Sequence, residues 1–269
     1  MVLRRYFFVV CFLLTACESG GELAPEREVE PTYPEEVEFL SEDGKTLRGT
    51  WQAAPGIEHG PGVLLLHQID SFEGEGHDRH DWDSVFPALI DSGVSVLAID
   101  FRSHGLSDPA DVPLISLGSD REQLRFDVRA GLDFLRLQGG SVRASLRGVA
   151  GLGLGASIAT VANHYSGAGE PGDWGARALV ALSARSERAV DLTDTGDPTL
   201  SLTNGLFIAG EDSALDVESA STLYEMTSAE RDLLVVEESS AHGAALLDEG
   251  SFLVDPIVDW FQLTLIPDD

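Results

Sequence analysis

The chain has 269 residues, with 46 acidic residues against 17 Lys plus Arg, a formal net charge of -29 and a hydrophobic content of 43 %. That length and apolar fraction fit one globular domain with a large core. The charge excludes a polyanion-binding surface, because nucleic acids are held by clustered Lys and Arg, and an anionic membrane face is disfavoured for the same reason.

The first element in chain order is a targeting segment. Arg4 and Arg5 precede an apolar run from Tyr6 to Leu14, which has the length and flanks of a signal-peptide core and is too short to span a bilayer. The run ends in Leu14-Thr15-Ala16-Cys17, which resembles the lipobox of bacterial lipoproteins. The resemblance implies that residues 1–16 are removed, that Cys17 is acylated, and that the mature chain is anchored in the lipid bilayer of a bacterial envelope. Loss of Arg4 and Arg5 takes the charge to -31, and two or three acyl chains anchor stably where one binds marginally. The two cysteines are Cys11 and Cys17, so the body holds neither a disulfide nor a cysteine zinc site. Residues 17–36, with Gly20-Gly21, Pro25, Pro31, Pro34 and many Glu, read as an extended acidic tether.

The body is expected over 37–269. Val37 to Leu40 and Thr46 to Gln52 are β-type runs joined through Asp43-Gly44, a hairpin turn signal. Apolar runs at Val63 to Leu66, Val94 to Ile99, Val149-Ala150, Ala178 to Leu182, Leu206 to Ala209 and Leu233 to Val236 predict strands buried on both faces of a parallel sheet. Helical spacing relates Val85, Phe86, Leu89 and Ile90, then Leu124, Val128, Leu132 and Leu135, and finally Ile257, Val258, Trp260 and Phe261. The alternation predicts an α/β fold: a mostly parallel central sheet with helices on both faces and an antiparallel N-terminal hairpin.

The segment Gly151-Leu152-Gly153-Leu154-Gly155-Ala156 follows a strand and opens a helix. It resembles the nucleophile elbow of α/β hydrolases, Gly-x-Ser-x-Gly, with Gly153 where the family has Ser. Leu66-His67-Gln68 is similar to the loop supplying an oxyanion-hole amide, with Gln68 for the usual Gly. Asp100-Phe101-Arg102-Ser103-His104-Gly105-Leu106-Ser107 matches a further family loop, with Ser103 for its first Gly. Ile208-Ala209-Gly210-Glu211-Asp212 resembles the strand carrying the triad acid, and Ser240-Ala241-His242-Gly243 the loop carrying the triad His. The resemblance runs from about Val37 to the C-terminus and is nearest the dienelactone-hydrolase and lysophospholipase-like branches.

What the resemblance implies is a site with His242 as base, Asp212 as acid, the amides of Gln68 and Leu154 as oxyanion donors, and Gly153 at the lost nucleophile. The acid stays open among Asp212, Asp216 and the residue at the family position, Ser213. A serine hydroxyl attacks only when an imidazole takes its proton and an acid orients that imidazole. With Gly153, the implied function is a catalytically silent or impaired hydrolase-like protein holding a small acyl or ester ligand or a partner. The alternative is residual ester or thioester hydrolysis by His242, using water or a displaced hydroxyl such as Ser157 or Ser183.

Two other chemistries have weaker sequence support. Gly151, Gly153 and Ala156 satisfy a dinucleotide fingerprint, but several strands precede it and the next strand ends without an acidic residue, so no cofactor is expected. His77, Asp78, His80, Asp81 and Asp83 are metal-ligand types, but their spacing reads as a solvated loop, and no metal is expected. The sequence carries no signal for oligomeric state.

Overall fold

A computed structural model describes residues 32–69, 76–117, 120, 122–166, 173–193 and 199–266. The proposed signal segment, Cys17 and most of the tether lie outside them. The chain runs β1 (Glu35–Leu40), β2 (Thr46–Gln52), β3 (Gly60–Leu66), a 3-10 turn (Arg79–Trp82), α1 (Phe86–Asp91), β4 (Ser95–Asp100), α2 (Leu114–Leu117), α3 (Gln123–Leu137), β5 (Val142–Leu152) and α4 (Leu154–His164). It continues with β6 (Ala176–Leu182), α5 (Ser186–Asp191), β7 (Leu202–Gly210), α6 (Ala214–Glu225), β8 (Thr227–Val236), α7 (Ala244–Asp248), a second 3-10 turn (Ser251–Leu253) and α8 (Val254–Leu265). The expected tether end at residue 36 is corrected: Glu35 and Glu36 already pair with Trp51 and Thr50 of β2.

The eight strands form one sheet in the order β1-β2-β4-β3-β5-β6-β7-β8. The β1/β2 and β2/β4 pairs are antiparallel and all the others are parallel. Successive side chains of a strand point to opposite faces, and β3 divides accordingly. Leu64 and Leu66 pack with Leu124, Val128 and Leu132 of α3 and Ile158 of α4, whereas Val63 and Leu65 pack with Leu89 of α1 and Ile257, Trp260 and Phe261 of α8. Both faces are thus covered, which is why these strands read as unbroken apolar runs. Among the described residues no helix is long and apolar enough to cross a membrane.

Two buried polar groups pin the loops at the carboxyl edge of the sheet. Arg102, just past β4, is fully buried and bonds Asp127 of α3, Asp43 of the β1–β2 turn and Gln123. His67, just past β3, is also fully buried; its Nε2 accepts from Phe101 N–H at 3.0 Å and its Nδ1 donates to Gln68 O. Burial, with His104 and His77 nearby, holds the His67 imidazole well below its ordinary value of 6.5, against a smaller upward pull from the Gln68 carbonyl. The unfolded chain therefore takes up a proton below about pH 6.5 that the folded chain refuses, so stability is full above that pH and falls on acidification. Unfolding midpoints from pH 7.5 to 5 should show a His67 contribution of at most about 1.4 kcal/mol per pH unit, absent from His67→Gln. Equal slopes in the two proteins would contradict this assignment.

Candidate active site

Five loops meet at the carboxyl ends of the parallel strands, the edge at which open α/β sheets place their sites. They bring Gln68 from β3, Gly153 from β5, Arg185 from β6, Asp216 from β7 and His242 from β8. Gly153 caps α4 with φ +54 and ψ -115, a conformation costly for any side chain. The tightness of this strand-to-helix turn shows next door: a Cβ on Gly155 would stand 2.2 Å from the His67 carbonyl oxygen. The small residues Gly151, Gly155 and Ala156 are what let α4 start against the end of β3.

His242 Nδ1 lies 2.8 Å from Asp216 Oδ2. Asp216 is fully buried and the His242 side chain is 39 % exposed, so the imidazole faces the crevice with its carboxylate behind it. The second carboxylate oxygen forms an ion pair with Arg185 Nε at 2.9 Å. Burial pushes the Asp216 carboxyl up, but the hydrogen bond and charge of His242, with Ser213 and Arg185, outweigh it and leave it below the ordinary aspartate value.

Of the positions left open for the acid, Asp212, Asp216 and Ser213, the structure brings Asp216 to His242 and not Asp212, the first choice. Asp212 is exposed and its backbone N–H ties to Ser239 O, whereas Asp216 carries the imidazole. Asp216 stands in the first turn of α6, three residues beyond Ser213. Ser213, the non-helical cap of α6, bonds the Asp216 carboxylate, so the two positions lie side by side.

The Gln68 amide, the first expected oxyanion donor, has a partner in the structure. Its N–H donates to Asp81 Oδ2 at 3.2 Å, so a carbonyl oxygen would have to displace a carboxylate. Burial holds the Asp81 carboxyl above its ordinary value despite the His77 hydrogen bond. Leu154, the other expected donor, follows Gly153 at the first position of α4, where the N–H has no acceptor within the helix.

Two side chains press on the elbow. A Cβ on Gly153 would stand 3.2 Å from Gln68 Oε1 and 3.3 Å from His242 Nε2. Gln68 Oε1 accepts from Ala244 N–H at 3.1 Å and Gln68 Nε2 meets His77 Nε2 at 3.3 Å. His77 Nδ1 in turn pairs with Asp81 at 3.0 Å. The loop of His77 to Asp83 is therefore packed on one side and solvated on the other: Arg79 is buried against Asp100 and His77 meets Gln68, while His80 and Asp83 are exposed. Among the described residues no group of three His, Cys, Asp or Glu is placed to hold a metal.

Neither displaced hydroxyl opens to the crevice. Ser157 is fully buried, and its Oγ accepts from Arg185 N–H at 3.0 Å while lying 3.4 Å from the Gly153 carbonyl oxygen. Ser183 is fully buried at φ +56, and its Oγ has no hydrogen-bond partner among the described residues. A left-handed backbone and an unsatisfied hydroxyl both destabilise. Ser183→Gly should therefore raise stability by about 1 kcal/mol in denaturant titration; a loss of that size would mean the hydroxyl has a partner there.

The fold recurs in solved structures. A dienelactone hydrolase from Anabaena variabilis superposes with a TM-score of 0.65 at 18 % identity, over 87 % of this chain and 99 % of its own. The chain has the α/β-hydrolase fold. An esterase from Pyrococcus furiosus (TM-score 0.63, 21 % identity, 90 % of this chain and 100 % of that one) shares the fold. So does a lidless α/β serine hydrolase from Xanthomonas campestris (TM-score 0.63, 18 % identity, 90 % and 99 %). No protein-family model and no curated protein sequence matches the chain.

Proposed function

We propose that this chain is a lipid-anchored bacterial envelope protein that uses the α/β-hydrolase fold to hold a ligand or partner and forms no acyl-enzyme. Gly153 carries the reading: the elbow has no hydroxyl to attack a carbonyl. Support comes from the burial of Ser157 and Ser183, which leaves no substitute nucleophile among them, and from the engagement of Gln68 N–H by Asp81. The lipobox-like Leu14 to Cys17 supports the anchor.

A second reading rests on the His242–Asp216 pair, which is assembled although nothing stands to be deprotonated at residue 153. A water activated by His242 could hydrolyse an ester directly, and serine hydrolases lacking a triad member keep roughly a thousandfold or more over water. Turnover of p-nitrophenyl acetate by the native chain and by His242→Ala separates the two. Equal, near-background rates support binding, and turnover that His242→Ala removes overturns it. Intact mass of the mature chain tests the anchor, since acylation must fall on Cys17.

A further inference from the structure

The chain enters the fold at the end of the sheet opposite the crevice. β1 is antiparallel to β2 and β2 to β4, so β1 runs with the parallel strands and Glu35 starts at their amino ends. Just before it, Thr32 is tied to the end of β2: its hydroxyl donates to Ala53 O and its carbonyl accepts from Gln52 Nε2 at 3.0 Å. The segment leading from Cys17 therefore reaches the domain at the amino edge, while Gly153, Asp216 and His242 stand at the carboxyl edge.

Around that entry large apolar side chains stand in solvent. Tyr33, and Leu137 at the end of α3, are each 72 % exposed, and Ile57, Leu263 and Ile266 are exposed with them. They share one end of the molecule. His59 N–H donates to Gly140 O at 3.1 Å and Gly60 N–H to Ser141 O at 2.9 Å, which joins the β2–β3 loop to the loop after α3. Gln262 Nε2 donates to Ser92 O at 3.3 Å, which brings the end of α8 to the start of β4. Leu106 and Phe252 are exposed at the carboxyl edge too; what separates the two edges is the entry of the chain.

Exposed apolar surface marks contact with a protein or a membrane, and the entry of the chain selects the membrane. Residues 18–31 are all that separates Cys17 from Thr32, a reach of at most about 50 Å, so an acylated Cys17 keeps this edge close to the bilayer. Tyr33, with an apolar ring and a polar tip, suits the headgroup level. We propose that the amino edge rests on the bilayer that holds the acyl chains, so that the crevice faces the aqueous phase and takes a ligand or partner delivered through water. This rests on the reading of the chain as lipid-anchored and names the side from which its site is served. At a net charge of -29 the contact suits zwitterionic lipid, because anionic headgroups repel the chain.

The test uses the full acylated chain in phosphatidylcholine vesicles. Once the signal segment is removed and Cys17 acylated, the chain has no free thiol, so a cysteine placed on the body is labelled alone. Leu137→Cys and Leu263→Cys at the amino edge, with Leu106→Cys and Phe252→Cys at the carboxyl edge, carry a nitrobenzoxadiazole dye, and a doxyl-labelled lipid serves as quencher. Quenching at 137 and 263 should exceed that at 106 and 252 several-fold. Equal quenching at the two edges, stronger quenching at 106 and 252, or none at any position would overturn the proposal. So would quenching between labelled copies at 137 and 263 without quenching by lipid, which would assign the face to a second copy. In the unsubstituted chain, amide exchange at 55–59 and 138–141 should slow on vesicles relative to detergent while 103–107 is unchanged, and the reverse pattern overturns the proposal even where a substituted chain fails to fold. Intact mass of the same preparation keeps the two readings apart. An unacylated Cys17 takes down the anchor and this proposal together, whereas an acylated chain with the wrong edge quenched takes down this proposal alone.

Discussion

A Gly153→Ser variant is expected to gain a covalent adduct with a fluorophosphonate, and the rate of that labelling should depend on Asp216 and not on Asp212. A Cβ at residue 153 would stand 3.3 Å from His242 Nε2, which puts a serine Oγ within reach of the imidazole. The closer obstacle, Gln68 Oε1 at 3.2 Å, is the end of a flexible side chain and can yield. The backbone already holds φ +54, so the new side chain enters a turn of the required sharpness at the strain any non-glycine residue meets there. In this background Asp216→Asn should slow labelling by about 10³–10⁴, because the imidazole loses the partner that fixes its tautomer. Asp212→Asn should leave the rate unchanged. Ester turnover by Gly153→Ser should remain about 10²–10³ below that of a site with two free oxyanion donors, since Gln68 N–H is held by Asp81. Equal sensitivity to Asp212 and Asp216 would contradict the assignment of the acid.

The largest expected effect on stability is at Arg102. Its guanidinium is fully buried and bonds both oxygens of Asp127, itself fully buried, while reaching Asp43 at 2.7 Å and Gln123 at 3.0 Å. It thereby ties the loop after β4 to α3 and to the β1–β2 turn. Arg102→Met would leave a carboxylate in the core without its cation, a change that costs about 3–5 kcal/mol. Replacing both partners, as Arg102→Met with Asp127→Leu, should recover much of that loss, because the desolvation cost of the ions disappears with them. Denaturant unfolding of the single and double variants measures this directly. A single variant within about 0.5 kcal/mol of the native chain, the ordinary range for a surface substitution, would contradict it.

Much of the fold is legible because the sheet is buried on both faces. Val63 to Leu66 and Ala178 to Leu182 have to be apolar at every position, and no amphipathic ambiguity arises. The hairpin is legible from Asp43-Gly44, although its start is not: Glu35 and Glu36 look like tether residues and yet pair as an edge strand, where solvent faces them. The elbow and His242 are legible from local glycine and loop patterns. The acid is legible only as a choice among Asp212, Ser213 and Asp216, since counting from Gly210 along the chain stops before the helix, and only the turn of α6 brings Asp216 to His242. Gln68 is named in the sequence as a backbone donor, but its side chain decides more. It meets Ala244, 176 positions away, and that contact is a product of tertiary packing which no local spacing encodes. Arg102 was visible as a loop residue; its burial against Asp127 requires α3 to be in place.

The most direct test of the central claim is the intact mass of the native chain after exposure to a fluorophosphonate, beside Gly153→Ser treated in the same way. The account predicts no mass gain on the native chain and a single adduct on the variant, mapped to residue 153. A native adduct that disappears in His242→Ala would show that another hydroxyl is activated in this site, and would contradict the claim that the fold works here without an acyl-enzyme.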